Sequence, residues 1–163
     1  MKRSEIIRAI RERATSELDW VVFTDLDKGQ IKRATQEYPM PMPALLVQIR
    51  STSFKSTAGG CQIGDMRIVL SLYQDYTTDS FTGAESEADT DAIIDRSDDV
   101  WKAMHGVRVG LWGHLVRLSE PDPEYGLRYM CTRQEYKVSV KDLMPAGTEM
   151  KASPSVKVIT EQL

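Results

Sequence analysis

Residues 62–76 read QIGDMRIVLSLYQDY, and their alternation decides the fold. Successive side chains of a strand point to opposite faces, so Met66, Ile68, Leu70 and Leu72 share one side and Arg67, Val69, Ser71 and Tyr73 the other. The spacing predicts one long extended strand. The rest of the chain is then read by what can pair with this strand or pack against it.

Upstream, YPMPMP at 38–43 fixes φ at alternate positions and withholds amide donors, so it approaches a sheet without entering it. It delivers the chain into ALLVQIR, 44–50, a strand apolar enough to be covered on both faces. Between the two strands, STSFKSTAGG is small and polar, which predicts a loop. Further upstream, Ile6, Ile7, Ile10, Ala14 and Leu18 form the stripe of an amphipathic helix over 4–18, with Ser4 as its N-cap. WVVF at 20–23 predicts a short strand, and the polar stretch after it, TDLDKGQIKRATQE, a loop.

Downstream, Ile93, Ile94, Ser97, Val100, Trp101 and Met104 recur at helical spacing from about 90 to 105, and Gly106 follows as a stop. HLVRLS, 114–119, and LRYMCTRQEYKVSV, 127–140, are joined by EPDPEYG and predict an antiparallel hairpin. The reading is an α+β domain over 1–140, with a mostly antiparallel sheet and two main helices on one face. Residues 141–163 form a weakly patterned extension, a loop in which VKVI is a candidate short strand.

A chain of 163 residues with 41% hydrophobic and 28% charged residues fits one ordinary globular domain. No apolar run approaches the ~20 residues of a membrane span. The N-terminal MKRSEIIRAIRERAT mixes charges with isoleucines and has no continuous apolar region, so it is not a signal peptide, and a cytoplasmic location is expected. Cys61 and Cys131 are too few for a disulfide framework and read as reduced, strand-borne thiols.

Charge is distributed unevenly. From Gln74 to His105 there are nine Asp or Glu against Arg96 and Lys102, a net −7 in a chain of net −3, which leaves +4 elsewhere. DTDAIIDRSDDV begins like a calcium loop but has Ile94 where the turn needs Gly and Val100 where a bidentate Glu belongs. Asp91, Asp95 and Asp98 share one helix face, which reads as solvated, with a divalent ion as the alternative. His105 and His114 lack a ligand partner at zinc spacing. The glycines at 106, 110 and 113 match no phosphate-binding spacing, and no nucleophile motif is present. No catalytic, metal or cofactor residue is assigned, and the chain is read as not an enzyme. Net charge and motifs also argue against specific nucleic-acid binding.

The order of elements, with PALLVQI, MRIVLSLYQDY, AIIDRSDDVWKAM and the closing RQEYKVSV, resembles the tail terminator or tail-completion proteins of long-tailed bacteriophages and prophages. The resemblance covers roughly residues 4–140. It implies a non-catalytic structural protein that caps the tail tube as a homo-oligomeric ring, usually of six subunits. It also implies tail-tube and head-connector proteins as partners, DNA passing through the lumen without specific binding, no membrane, and location in the bacterial host cytoplasm and the virion. In such a ring an acidic loop carrying Asp79, Glu85, Glu87 and Asp89 would face either the lumen or a neighbour. The basic face of the first helix, with Arg8, Arg11 and Arg13, would then be a subunit contact. A small cytoplasmic adaptor domain with an unrelated partner remains the alternative.

Overall fold

Helix α1, Arg3–Glu17, buries Ile6, Ile7, Ile10 and Ala14, the stripe its spacing predicts. The computed structural model describes residues 3–33, 39–57, 61–76, 87–109, 113–126 and 128–142. After α1 come β1 (Phe23–Leu26), α2 (Gln30–Arg33), β2 (Ala44–Ser56), β3 (Gln62–Asp75) and α3 (Glu87–Met104). The chain then forms β4 (Val116–Ser119), β5 (Glu124–Tyr125) and β6 (Tyr129–Asp142). The strands make one six-stranded sheet in the order β1-β2-β3-β6-β4, with β5 paired to β6. Every pairing is antiparallel except the parallel β1–β2. No helix among the described residues is long and apolar enough to cross a membrane.

The α+β reading holds, with α1 and α3 on one face of the sheet. There, Leu45, Val47, Met66, Ile68, Leu70 and Leu72 pack with α1, Val100, Ala103 and Met104 of α3, and Tyr136, Val138 and Val140 of β6. The other face carries a smaller cluster of Ala44, Leu46, Tyr73 and Cys131, packed by Phe23, Ile31, Met40 and Met42. The start of β2 is therefore covered on both sides, as its unbroken apolar run predicts. The proline-rich approach lies over the smaller cluster rather than in the sheet, and its Met42–Pro43 peptide is cis.

Four expectations change, besides the connection EPDPEYG, which contains β5 paired to β6. The strand expected at 20–23 begins at Phe23, because Val21 N–H still closes a turn on the Leu18 carbonyl at 3.0 Å. Pairing starts only where Val22 N–H meets the Pro43 carbonyl. The loop expected after it contains β1 and the single turn α2; a four-residue, half-buried edge strand is too short to show a period. The loop expected at 51–60 is β-structure to Ser56, with a bulge between Ile49 and Ser51. Its polarity reflects exposure beyond the core, since β3 supplies backbone partners all the way to Gln62. Strand β6 runs two residues past the expected boundary, to Asp142; of the expected extension, 143–163, VKVI included, lies outside the described residues.

Gly106 ends α3 with φ +77°, the left-handed conformation that favours glycine. At Gly64 the reason for glycine is space, because a Cβ there would strike the Ser53 carbonyl oxygen and come within 2.7 Å of the Phe54 ring. Gly64→Ala should cost about 1–3 kcal/mol through forced separation of β2 from β3. Thermal or urea unfolding checks this, and an unchanged midpoint would show that the hairpin yields freely.

Candidate functional site

The charged residues singled out in the sequence do not converge. Asp79 and Glu85 lie outside the described residues. Glu87 and Asp89, expected on a loop, belong to the first turn of α3, with Asp89 exposed. The correction has a simple cause: acidic residues that look like loop in composition also suit a helix start, where the macrodipole favours negative charge.

Arg8, Arg11 and Arg13 do not share a face of α1. At 100° per residue, Arg11 and Arg13 flank the buried stripe on opposite sides, while Arg8 points outward. Arg11 Nη2 bonds Asp25 of β1 at 2.7 Å. Arg13 Nε donates to the Ala103 carbonyl at the end of α3 at 3.0 Å, and its Nη1 to Glu17 at 2.7 Å. Two of the three arginines thus fasten α1 to the rest of its own chain. Arg8 remains exposed, with Glu12 at 3.9 Å. Burial opposes ionisation of Asp25, but hydrogen bonds from Lys28 and the Leu26 amide, with the charges of Lys28 and Arg11, hold its carboxyl below the ordinary carboxylate range.

On α3, Thr90, Ile93, Ser97, Val100, Ala103 and Met104 face inward. Ile94, which the sequence places on the buried side, is 55% exposed and lies with Asp91, Asp95 and Asp98 on the outer face. Trp101 sits at the flank, where the Arg117 guanidinium lies 4.6 Å from its ring centre. Among the described residues, no group of three or more His, Cys, Asp or Glu is arranged to hold a metal ion. Both histidines brace the connection from α3 to β4. His114 Nδ1, 2.7 Å from the Gly106 carbonyl, must donate to it, and His105 Nδ1 accepts from the Arg117 amide at 3.2 Å.

Sequence reasoning missed a buried polar clamp between α3 and the sheet. Gln74 of β3 donates to the Ile93 carbonyl at 2.9 Å and accepts from Arg96, whose guanidinium stands over Trp20. Gln134 of β6 donates to both the carbonyl and the hydroxyl of Ser97, at 2.7 and 2.9 Å, and accepts from the Tyr136 hydroxyl at 2.5 Å. Ser97 in turn donates to Glu120, which Arg117 also holds. Polar residues at Gln74, Gln134 and Ser97, in register with buried apolar ones, were the available signal; their partners were not.

The clamp is a docking device rather than a reaction site: its donors and acceptors satisfy one another. The sheet face opposite the helices is the second notable surface. Beyond the smaller cluster it presents Lys55, Arg67, Lys137 and Lys141 against Asp65 and Glu135, with Arg67 and Glu135 paired at 3.0 Å.

No family model matches this sequence, and no curated protein matches it significantly. Among solved structures, the chain is similar to one described as the virion of a native gene transfer agent particle. The two share 14% identity at a TM-score of 0.41, over 83% of this chain and 95% of that one. A likeness at that level carries no functional weight.

Two outcomes test this account of the site. Titration with calcium, magnesium or zinc should show no tight stoichiometric binding, and Asp91→Ala with Asp95→Ala should change stability by no more than about 0.5 kcal/mol. A submicromolar site by calorimetry would overturn that reading. The second concerns Tyr136, whose phenol burial pushes well above the ordinary value. The folded state holds that proton more tightly than the unfolded chain, so the stabilisation is complete below about pH 10 and is lost as pH rises beyond it. Tyr136→Phe should cost about 1 kcal/mol at neutral pH and flatten part of the alkaline fall in Tm. An alkaline limb identical to wild type would remove Tyr136 as its source.

Proposed function

We propose that this chain is a non-catalytic structural protein of a phage-like virion, a tail terminator or tail-completion protein that assembles as a ring. The observation that supports this is the element order. An N-terminal helix, a proline-led strand covered on both faces, a long central strand, a second helix and a closing hairpin occur in one sheet with both main helices on one side. That is the arrangement implied by the resemblance carried by PALLVQI, MRIVLSLYQDY, AIIDRSDDVWKAM and RQEYKVSV. The partners in this reading are further copies of the chain, six to a ring, together with tail-tube and head-connector proteins. DNA would pass through the lumen without specific binding. The chain would act in the host cytoplasm and remain in the virion.

The uneven charge has a role in that setting. Ring subunits join through two different surfaces, and complementary charge selects the correct pairing. Against a neighbour, the acidic segment is held by exposed ion pairs, screened over about 8 Å at physiological ionic strength, so salt weakens association. Facing the lumen, it repels DNA and lets it slide.

The test is sedimentation of wild type and of Asp79→Lys/Glu85→Lys/Glu87→Lys/Asp89→Lys at low and high salt, with DNA binding measured on both. A salt-insensitive ring that gains DNA binding in the lysine variant indicates the lumen; loss of association at high salt indicates the neighbour. A chain that stays monomeric at every concentration, alone and with its tail-tube neighbour, would refute the ring.

A further inference from the structure

We infer that the open face of the sheet is the docking surface for the outer face of α3 of a second copy of this chain. The inference rests on the ring reading and replaces its basic partner, since Arg11 and Arg13 of α1 are already bonded within the subunit.

The open face is defined by strand register. Ile63, Asp65 and Arg67 of β3 alternate with the helix-facing Gly64 and Met66, and pair with Lys141, Ser139 and Lys137 of β6. Lys55 of β2 lies opposite Ile63, and Val116 of β4 opposite Lys137. Four cations against two carboxylates leave this surface positive. Ile63 and Val116 stand among them, 46% and 42% exposed.

The outer face of α3 is its counterpart. Asp91, Asp95 and Asp98 form one exposed row, and Ile94, which is 55% exposed, lies along one edge of it. None of the three carboxylates forms an ion pair with another described residue. Each surface therefore offers exposed apolar side chains beside a set of charges, of opposite net sign on the two.

Geometry makes the contact head-to-tail. The two surfaces lie on opposite sides of one sheet, one backed by the helices and the other open, so a subunit cannot satisfy both with one partner related by a two-fold axis. Each copy gives its α3 to one neighbour and its sheet to another, the type of contact that closes into a ring or continues as a filament.

The experiment uses two variants of the full chain. Asp91→Lys/Asp95→Lys/Asp98→Lys makes both surfaces basic, and Lys55→Glu/Lys137→Glu/Lys141→Glu makes both acidic. Each alone should need on the order of ten-fold or more protein to associate than wild type at low salt, because several exposed pairs become repulsions at once. Mixed in equal amounts they should associate again, since each variant's α3 then meets the other's sheet. Sedimentation velocity reads all three samples, and unchanged melting confirms that the substituted chains fold. Wild-type association that survives both substitution sets overturns the inference and leaves the ring reading standing. Two non-associating variants that fail to recover on mixing overturn the pairing of these two faces. A wild-type chain that never associates removes both readings together.

Discussion

Strand β3 is paired on both edges over nearly all its length, with β2 from Gln62 to Tyr73 and with β6 from Gln62 to Asp75. Few residues of a sheet are so constrained, and the rest of the fold follows from it. With both edges taken, a slip of one residue would turn Met66, Ile68, Leu70 and Leu72 away from the helices and present Arg67 to them. The hydrophobic layer beneath α1 and α3 therefore fixes the register of three strands at once. It also fixes where the sheet stops being core and becomes exposed hairpin, at the bulge after Ile49.

The helices reach that layer by different means. Helix α1 docks with an isoleucine stripe and two flanking arginines, one reaching β1 and the other the end of α3. Helix α3 docks with a narrower apolar edge and with Gln74 and Gln134 bonded to its backbone and to Ser97, Tyr136 in turn donating to Gln134. Buried amides and hydroxyls are costly when unpaired and nearly neutral when satisfied, so the clamp adds direction more than strength. Apolar packing tolerates a helix sliding along its axis. A glutamine bonded to one particular carbonyl does not.

The same economy explains which charges are available for assembly. Arginines close to the buried stripe of α1 have partners within reach and are used internally, whereas the aspartates of α3 project from a helix whose inner face is already full. Exposed charge differs locally between the two sides of the sheet: the outer row of α3 is acidic, and the stretch of open face around Lys55, Arg67, Lys137 and Lys141 is net positive. A composition that is nearly balanced overall thus yields surfaces of unlike charge.

Much of this was legible from residue order. The period-2 run at 66–73 and the 3.6-period stripes at 6–18 and 93–104 specify β3, α1 and α3, because backbone geometry alone converts spacing into facing. The apolar run at 44–47 announces burial on both faces, and Gly106 announces a helix end. Other features had no local signature. Strand β1 exists because Pro43 and Val47 carbonyls lie beside it, the polar half of β2 because β3 supplies its hydrogen bonds, and Ile94 faces out because the axial rotation of α3 is set by Gln74 and Gln134. Whether Arg11 and Arg13 are free or bonded depends on Asp25 and the Ala103 carbonyl, which are 14 and 90 residues away in the chain. Sequence determines what depends on neighbours three or four residues apart; partners brought together by folding decide the rest.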